Sequence, residues 1–384
     1  MQISGGASYT GGGRSPGVGA LAPLILALLA LGVAGCDSGG PPEAAQSDPR
    51  PAARPLRLFS PASVWNARLG SRTELDPRSD ALVEELLRQV REEREARHGP
   101  WIGIGKSSTP IYRVPPDQPR VEVQLDSEIP RGPAQAFAAV PLPGDARPAA
   151  GADSHLTVWQ ASRDRLWEFF GVTRPADGWH ARWGGAIDRV SESPGYFTSE
   201  AWPGARWYWG ATATSLPVAA GVITVRELRR RRIEHALALS IKRVRAGVFA
   251  WPAQRSDGVT DDPDAIPEGA RFRLDPGLDL ASLRLPPVTE AIAVAAQRYG
   301  MIVRDKSTTV AFYAEDPLPY SRDPYPAILG ADYPGDVGRL LDRFPWRRLQ
   351  LVRMSLCRER SQRQLAEARD RGTGECLRRN GLDY

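Results

Sequence analysis

The chain has few of the residues that announce a redox or metal enzyme: four histidines and three cysteines in 384 residues. It contains no H-E-x-x-H helix, no Cys/His cluster at zinc spacing and no G-x-S-x-G turn, so the sequence signals of zinc and serine hydrolases are missing. Gly105-Lys106-Ser107 has the ending of a phosphate-binding loop, but the first glycine of that loop would fall at Pro100. Lysine occurs only at Lys106, Lys242 and Lys306, and arginine supplies the rest of the 50 basic residues. A net charge of +5 built this way points to GC-rich coding rather than to a nucleic-acid surface, and no nucleic-acid partner is expected. Nor is there an internal repeat. The longest apolar run, Val18 to Val33, is interrupted by Pro23, and a spanning helix needs roughly 20 apolar residues.

That run has another reading. Arg14 is the only charge before Asp37, which gives a charged segment followed by an apolar one, the layout of a signal peptide over residues 1–35. Val33-Ala34-Gly35-Cys36 resembles the bacterial lipobox, in which small residues admit the peptidase and the cysteine thiol accepts the lipid. Cys36 is therefore expected to be the lipidated first residue of a protein held on the outer side of a membrane, at the cell surface or facing the periplasm. Residues 36–57 are dominated by Pro, Ala, Gly and charge; such a composition cannot bury enough apolar surface to fold and reads as a tether. With Cys36 assigned to lipid, Cys357 and Cys376 remain as a pair in an oxidising compartment, and a disulfide is expected.

Strand signals then dominate: Ile111–Val114, Val121–Leu125, His155–Trp159, Leu166–Phe170, Trp179–Trp183, His235–Ile241, Val248–Trp251, Phe272–Leu274, Met301–Arg304 and Val310–Tyr313. Helices are expected from Asp76-Pro77 onward with a stripe of Leu82, Leu86, Leu87 and Val90, after a Thr224/Glu227 capping box, over Val288–Tyr299 ahead of Gly300, and around Val337–Phe344. The pattern predicts a β-rich α+β fold, a mainly antiparallel sandwich or jelly-roll-like core with peripheral helices. A globular domain is expected over 58–315 and an extension over 316–384.

Eight of the eleven tryptophans fall between Trp159 and Trp251. Indole rings stack on sugar rings, and they also fill sheet cores; the Pro/Gly-punctuated loop 201–210, with Trp207, is expected at the surface. Trp167, Trp183 and Trp207 are the candidate sugar platforms, with Arg255 and Asp257 as polar substrate contacts. His155 and Glu168, on neighbouring strands, and His235 are the candidate proton-transfer groups, each with a structural hydrogen-bonding role as the alternative. Asp188, Asp257, Asp262, Asp264 and Glu268 are further carboxylates of the kind a glycosidase uses, though turn chemistry explains several of them. A site made of Asp153, His155 and His180 is the one metal arrangement weighed; no metal or cofactor is expected.

The blocks GATATSLPVAAGVITVRELRRRRIEHALALSI from Gly210, WPAQRSDG and AIPEGARFRLDPGLDLASL, with the earlier GADSHLTVWQ, LWEFF and ARWGGA, resemble a recurring set in secreted actinobacterial proteins. The likeness covers roughly residues 58–315 and implies export, one extended domain and a shared scaffold in GATATS, HALAL and IPEGAR. It implies no catalytic residue. Taken together, the expectation is an extracellular, lipid-anchored protein acting on polysaccharide as a glycoside hydrolase or lyase; a non-catalytic glycan binder or a structural envelope lipoprotein is the alternative.

Overall fold

The computed structural model describes residues 57–126, 133–206, 208–330, 337–358 and positions 376, 379 and 380. The signal peptide, Cys36, most of the tether and Trp207 lie outside the described residues. The chain is α+β and rich in strand, with helices at the periphery. The strands form four sheets.

The largest sheet has six strands in the order β1 (Trp101–Gly103), β13 (Ala311–Tyr313), β8 (Leu237–Ile241), β12 (Met301–Lys306), β11 (Arg271–Leu274) and β14 (Leu349–Leu351). Alternation along its central strands explains how the protein is layered. Leu237, Leu239 and Ile241 of β8, with Met301 and Val303 of β12, point into one apolar core. Ala238 and Ile302 point into the other. The strand expected at 235–241 therefore forms over Leu237–Ile241, with both of its faces buried, as the all-buried pattern of β8 shows. A strand covered on both sides reads as a continuous apolar run.

Two amphipathic helices cover the first face. α1 (Ser79–Glu95) buries Leu82, Leu86 and Val90. α4 (Pro287–Arg298) buries Ile292, Ala295 and Ala296 and ends at Gly300, whose φ of 82° permits the reversal into β12. α1 begins two residues later than Asp76-Pro77 suggests, because Asp76 spends its carboxylate on the backbone N–H of Arg78 (2.9 Å) and so closes a turn ahead of the helix.

The second core is built on a four-stranded sheet, β2 (Ile111–Arg113), β4 (Leu156–Gln160), β5 (Arg165–Phe170) and β7 (Trp183–Asp188). The segment expected as one strand over Trp179–Trp183 is split. β6 (Trp179–Ala181) pairs with β3 (Val123–Leu125), and after Arg182 the chain enters β7 beside β5. The Asp177-Gly178 turn thus leads into a different sheet from the one β5 belongs to. The last sheet joins β10 (Ile266–Glu268), β9 (Val244–Ala250) and β15 (Leu356–Arg358). Since β14 and β15 both follow residue 316, the C-terminal segment is woven into the sheets rather than appended to them.

Cys357 on β15 and Cys376 form a disulfide with Cα atoms 5.6 Å apart, packed against Phe249 and Ala253. No helix among the described residues is long and apolar enough to cross a membrane.

The two cores are tied by a buried polar clamp. Glu168 on β5, with no exposed surface, accepts the backbone N–H of Ala211 on Oε1 (2.7 Å) and that of Val218 on Oε2 (2.8 Å). Arg304 on β12 donates from Nη1 to the carbonyls of Val218 and Ala220. Gly210 begins the clamped loop at φ 114°, where a Cβ would come within 2.6 Å of the Phe197 ring. Glu168→Gln should lower the unfolding free energy by about 1–3 kcal/mol, because an amide NH2 would face one of the two buried N–H donors. Urea titration of the variant checks this; an unchanged midpoint would contradict a structural role.

Candidate functional site

His155 and Glu168 do converge, but on a peptide of the protein itself. His155, at the entrance to β4, is buried and sets Nε2 3.1 Å from the carbonyl of Ala211, the residue whose N–H Glu168 holds. Burial pushes its pKa down to about 4, with Arg304 adding to the shift and Asp153 opposing it. The imidazole is thus neutral at physiological pH, and Nε2–H donates to the carbonyl. Glu168 is pushed up to about 7 by burial, against the pull of its two N–H donors and Arg304. The two side chains hold the peptide groups on either side of Ala211, Glu168 at its N–H and His155 at its carbonyl, and Glu168 has no surface open to a substrate. Their expected proton-transfer role gives way to a structural one.

His235 is also committed. Its Nε2 lies 3.1 Å from the Glu227 carboxylate, and its Nδ1 lies 2.9 Å from the Ala236 carbonyl. Glu227 is at the same time the third residue of the capping box that opens α3 (Val225–Arg230), where the Thr224 hydroxyl accepts the Glu227 N–H and the Glu227 carboxylate accepts the Thr224 N–H. Burial alone would lower the His235 pKa, but the charge and hydrogen bond of Glu227 outweigh it and raise the value. Burial would likewise raise Glu227, and the His235 charge and bond outweigh it downward.

The aromatic residues divide by depth. Trp167 is wholly buried, with Nε1 donating to the Ala136 carbonyl (3.0 Å) and the Arg165 guanidinium 4.7 Å from its ring. It belongs to the core and cannot serve as the expected sugar platform. Trp159, Trp179, Trp202 and Trp209 are buried as well. Trp183 is half-buried, its ring tilted by 34° against Trp209 with centroids 4.3 Å apart, and the Tyr208 ring lies 5.1 Å from that of Trp209. Trp251, also half-buried, meets Tyr196 edge-on at 4.6 Å. Tyr196 and Tyr208 both pack against the second core and against the small cluster around the disulfide, together with Trp251. The result is a belt of half-exposed rings running from Trp183 to Trp251.

Arg255 donates from Nε to the Ser215 hydroxyl (2.8 Å) and from Nη2 to the Thr212 carbonyl (2.7 Å), pinning the GATATS loop. Asp257 pairs with Lys306, Oδ2 to Nζ 3.1 Å. Its neighbours are the finding that sequence reading missed: Asp257, Glu268 and Asp305 each offer a carboxylate oxygen within 4.8 Å of the others. Glu268 is held well above the usual carboxylate range by burial, then by the charges of Asp257 and Asp305. Asp305 is pushed up to about 7 by burial and by Asp257 and Asp153, with Arg304 opposing. Asp305 carried one sequence signal, a run of three charges, Arg304-Asp305-Lys306, closing an apolar strand.

The remaining candidates stay apart. Asp188 pairs with Arg165 at 2.6 Å, Asp264 with Arg78, and Asp262 accepts the Asp264 N–H at 2.8 Å. His180 sits between Asp126 (2.7 Å) and Asp177 (3.3 Å), so Asp153, His155 and His180 form no common site. No protein-family model, curated protein or solved structure matches the chain, and the site has to be read from its own residues.

The His235–Glu227 pair makes a pH prediction. A raised histidine pKa contributes stability below the ordinary value of 6.5 that is lost as pH rises through the folded pKa. A lowered glutamate pKa contributes stability above 4.5 that is lost as pH falls through its folded value. The difference in unfolding free energy between wild type and His235→Gln should therefore peak between these limits and shrink on both sides. A difference independent of pH would show that the pair is not ionised.

Proposed function

We propose that the protein is an exported, lipid-anchored envelope protein whose folded domain engages polysaccharide through the aromatic belt that runs from Trp183 to Trp251. The observation that carries the reading is the depth of these rings. Most tryptophans of the cluster are buried, whereas Trp183, Trp251, Tyr196 and Tyr208 each keep part of their surface open. Their faces are held by other rings, so they meet a sugar ring with little further loss of conformational entropy. The resemblance to the lipobox at Val33–Cys36 and the disulfide, which suits a non-reducing compartment, support placement outside the cytoplasm.

Binding is favoured over cleavage because His155, Glu168 and His235 are each occupied by structural hydrogen bonds. A glycoside hydrolase or lyase reading needs a different proton-transfer pair.

Two measurements test the proposal. Cys36→Ala should abolish partitioning into detergent while the exported domain stays folded; retention in the detergent phase would rule out lipid anchoring. On a panel of cell-wall and environmental polysaccharides, wild type should bind at least one. Trp183→Ala and Trp251→Ala should then weaken that binding from a few-fold up to about tenfold, the range expected for an aromatic contact. Equal affinity in variants whose thermal melts match wild type would remove the belt as the binding surface.

A further inference from the structure

The three carboxylates at Asp257, Glu268 and Asp305 come from separate elements: the loop after β9, the end of β10 and β12. Gly269 helps to bring them together. At φ 82° it follows Glu268, and a Cβ there would come within 1.6 Å of the Ala250 carbonyl oxygen, so only glycine lets the end of β10 lie this close to β9.

Glu268 is wholly buried. Its Oε2 accepts the Asp257 backbone N–H at 3.1 Å, but its Oε1 has no hydrogen-bond partner. Oδ1 of Asp257 is likewise shut off from solvent and unpartnered, while Oδ2 takes Lys306. Buried anionic oxygens without donors are costly; the Ser256 hydroxyl also bonds the Glu268 carboxylate, yet Oε1 of Glu268 and Oδ1 of Asp257 keep no partner. A bound cation favours the ionised form of all three, and three carboxylates less the Lys306 ammonium then leave two negative charges to match a divalent cation. Arg304 spends Nη1 on the carbonyls of Val218 and Ala220 and lies over the Tyr313 ring. An all-oxygen set selects hard cations. Calcium, with bonds of about 2.3–2.6 Å, separates opposed ligands by up to about 5 Å, whereas magnesium at about 2.1 Å draws them to about 4 Å. The three oxygens lie within 4.8 Å of one another, inside calcium's reach, and a set of three carboxylates suits calcium, whereas magnesium keeps most of its waters and takes one or two.

We propose that Asp257, Glu268 and Asp305 form a calcium site, completed by water on the solvent-facing side of Asp257. The ion ties the loop between β9 and β10 to the end of β12. The proposal does not depend on the glycan reading, and its test uses no glycan.

The exported protein, dialysed against chelator, is titrated with calcium chloride and separately with magnesium chloride by calorimetry, and its thermal unfolding is followed with and without each ion. One calcium per chain is expected, with a Kd on the order of 10⁻⁴–10⁻³ M, as in extracellular calcium modules, and a melting temperature that rises with calcium. Glu268→Gln should weaken binding by more than about tenfold, and Asp188→Asn, which alters a carboxylate in a separate ion pair, should leave it unchanged. If Glu268→Gln fails to fold, Asp257→Asn on the solvent side carries the same comparison. No binding heat and no melting shift in wild type at calcium well above the millimolar range would overturn the site, as would a folded Glu268→Gln that binds like wild type. Magnesium binding as tight as calcium would overturn the choice of ion.

Discussion

The fold depends on one buried polar constraint, the grip of Glu168 and Arg304 on the loop from Ala211 to Ala220. A carboxylate on the four-stranded sheet and a guanidinium on the six-stranded sheet hold opposite polar groups of the same loop, the first its N–H groups and the second its carbonyls. Each charge is expensive to bury alone; both oxygens of Glu168 take an N–H, and Nη1 of Arg304 reaches two carbonyls while its Nε has no partner. Apolar packing brings the sheets together without choosing among sliding arrangements; directional bonds to a single loop choose one.

The same loop helps to position the carboxylate cluster. Thr214 donates its hydroxyl to the Arg304 carbonyl (2.7 Å) and lends its own carbonyl to the Gln254 N–H (3.0 Å), while Thr212 and Ser215 hold Arg255. The chain leading to Asp257 is thus placed by the clamp, Glu268 by the close approach of β10 to β9, and Asp305 by β12. Two of the three routes end at Arg304 or its immediate neighbour. Negative charge accumulates where elements positioned for other reasons meet, and burial first, then the neighbouring carboxylates, raise the pKa values of Glu268 and Asp305.

Several features were legible from local chemistry. The capping box at Thr224 and Glu227, the apolar stripe of α1, the glycine after α4 and most strand positions follow from short-range patterns, and each of them formed. The disulfide followed from cysteine count alone. The placement of His155 and Glu168 on neighbouring strands was also visible, since the short connection from 160 to 165 makes β4 and β5 antiparallel neighbours, with Thr157 opposite Glu168. The object they hold was not visible, because Ala211 lies more than forty residues further along the chain.

The amino-acid sequence by itself determined the elements, their β-rich α+β class and which cysteines could join, because those properties depend on neighbours within one turn or one strand. Only the tertiary structure decided which face of each aromatic residue meets solvent and which carboxylates share a site. Trp167 and Trp183 look alike in sequence, yet one is sealed beneath Arg165 and the other lies half-open on Trp209. Asp257 and Glu268 are 11 residues apart, Asp305 lies far beyond both, and the three meet through a parallel strand pair and a loop clamp. Depth and long-range proximity are properties of packed layers, and no short-range pattern encodes them.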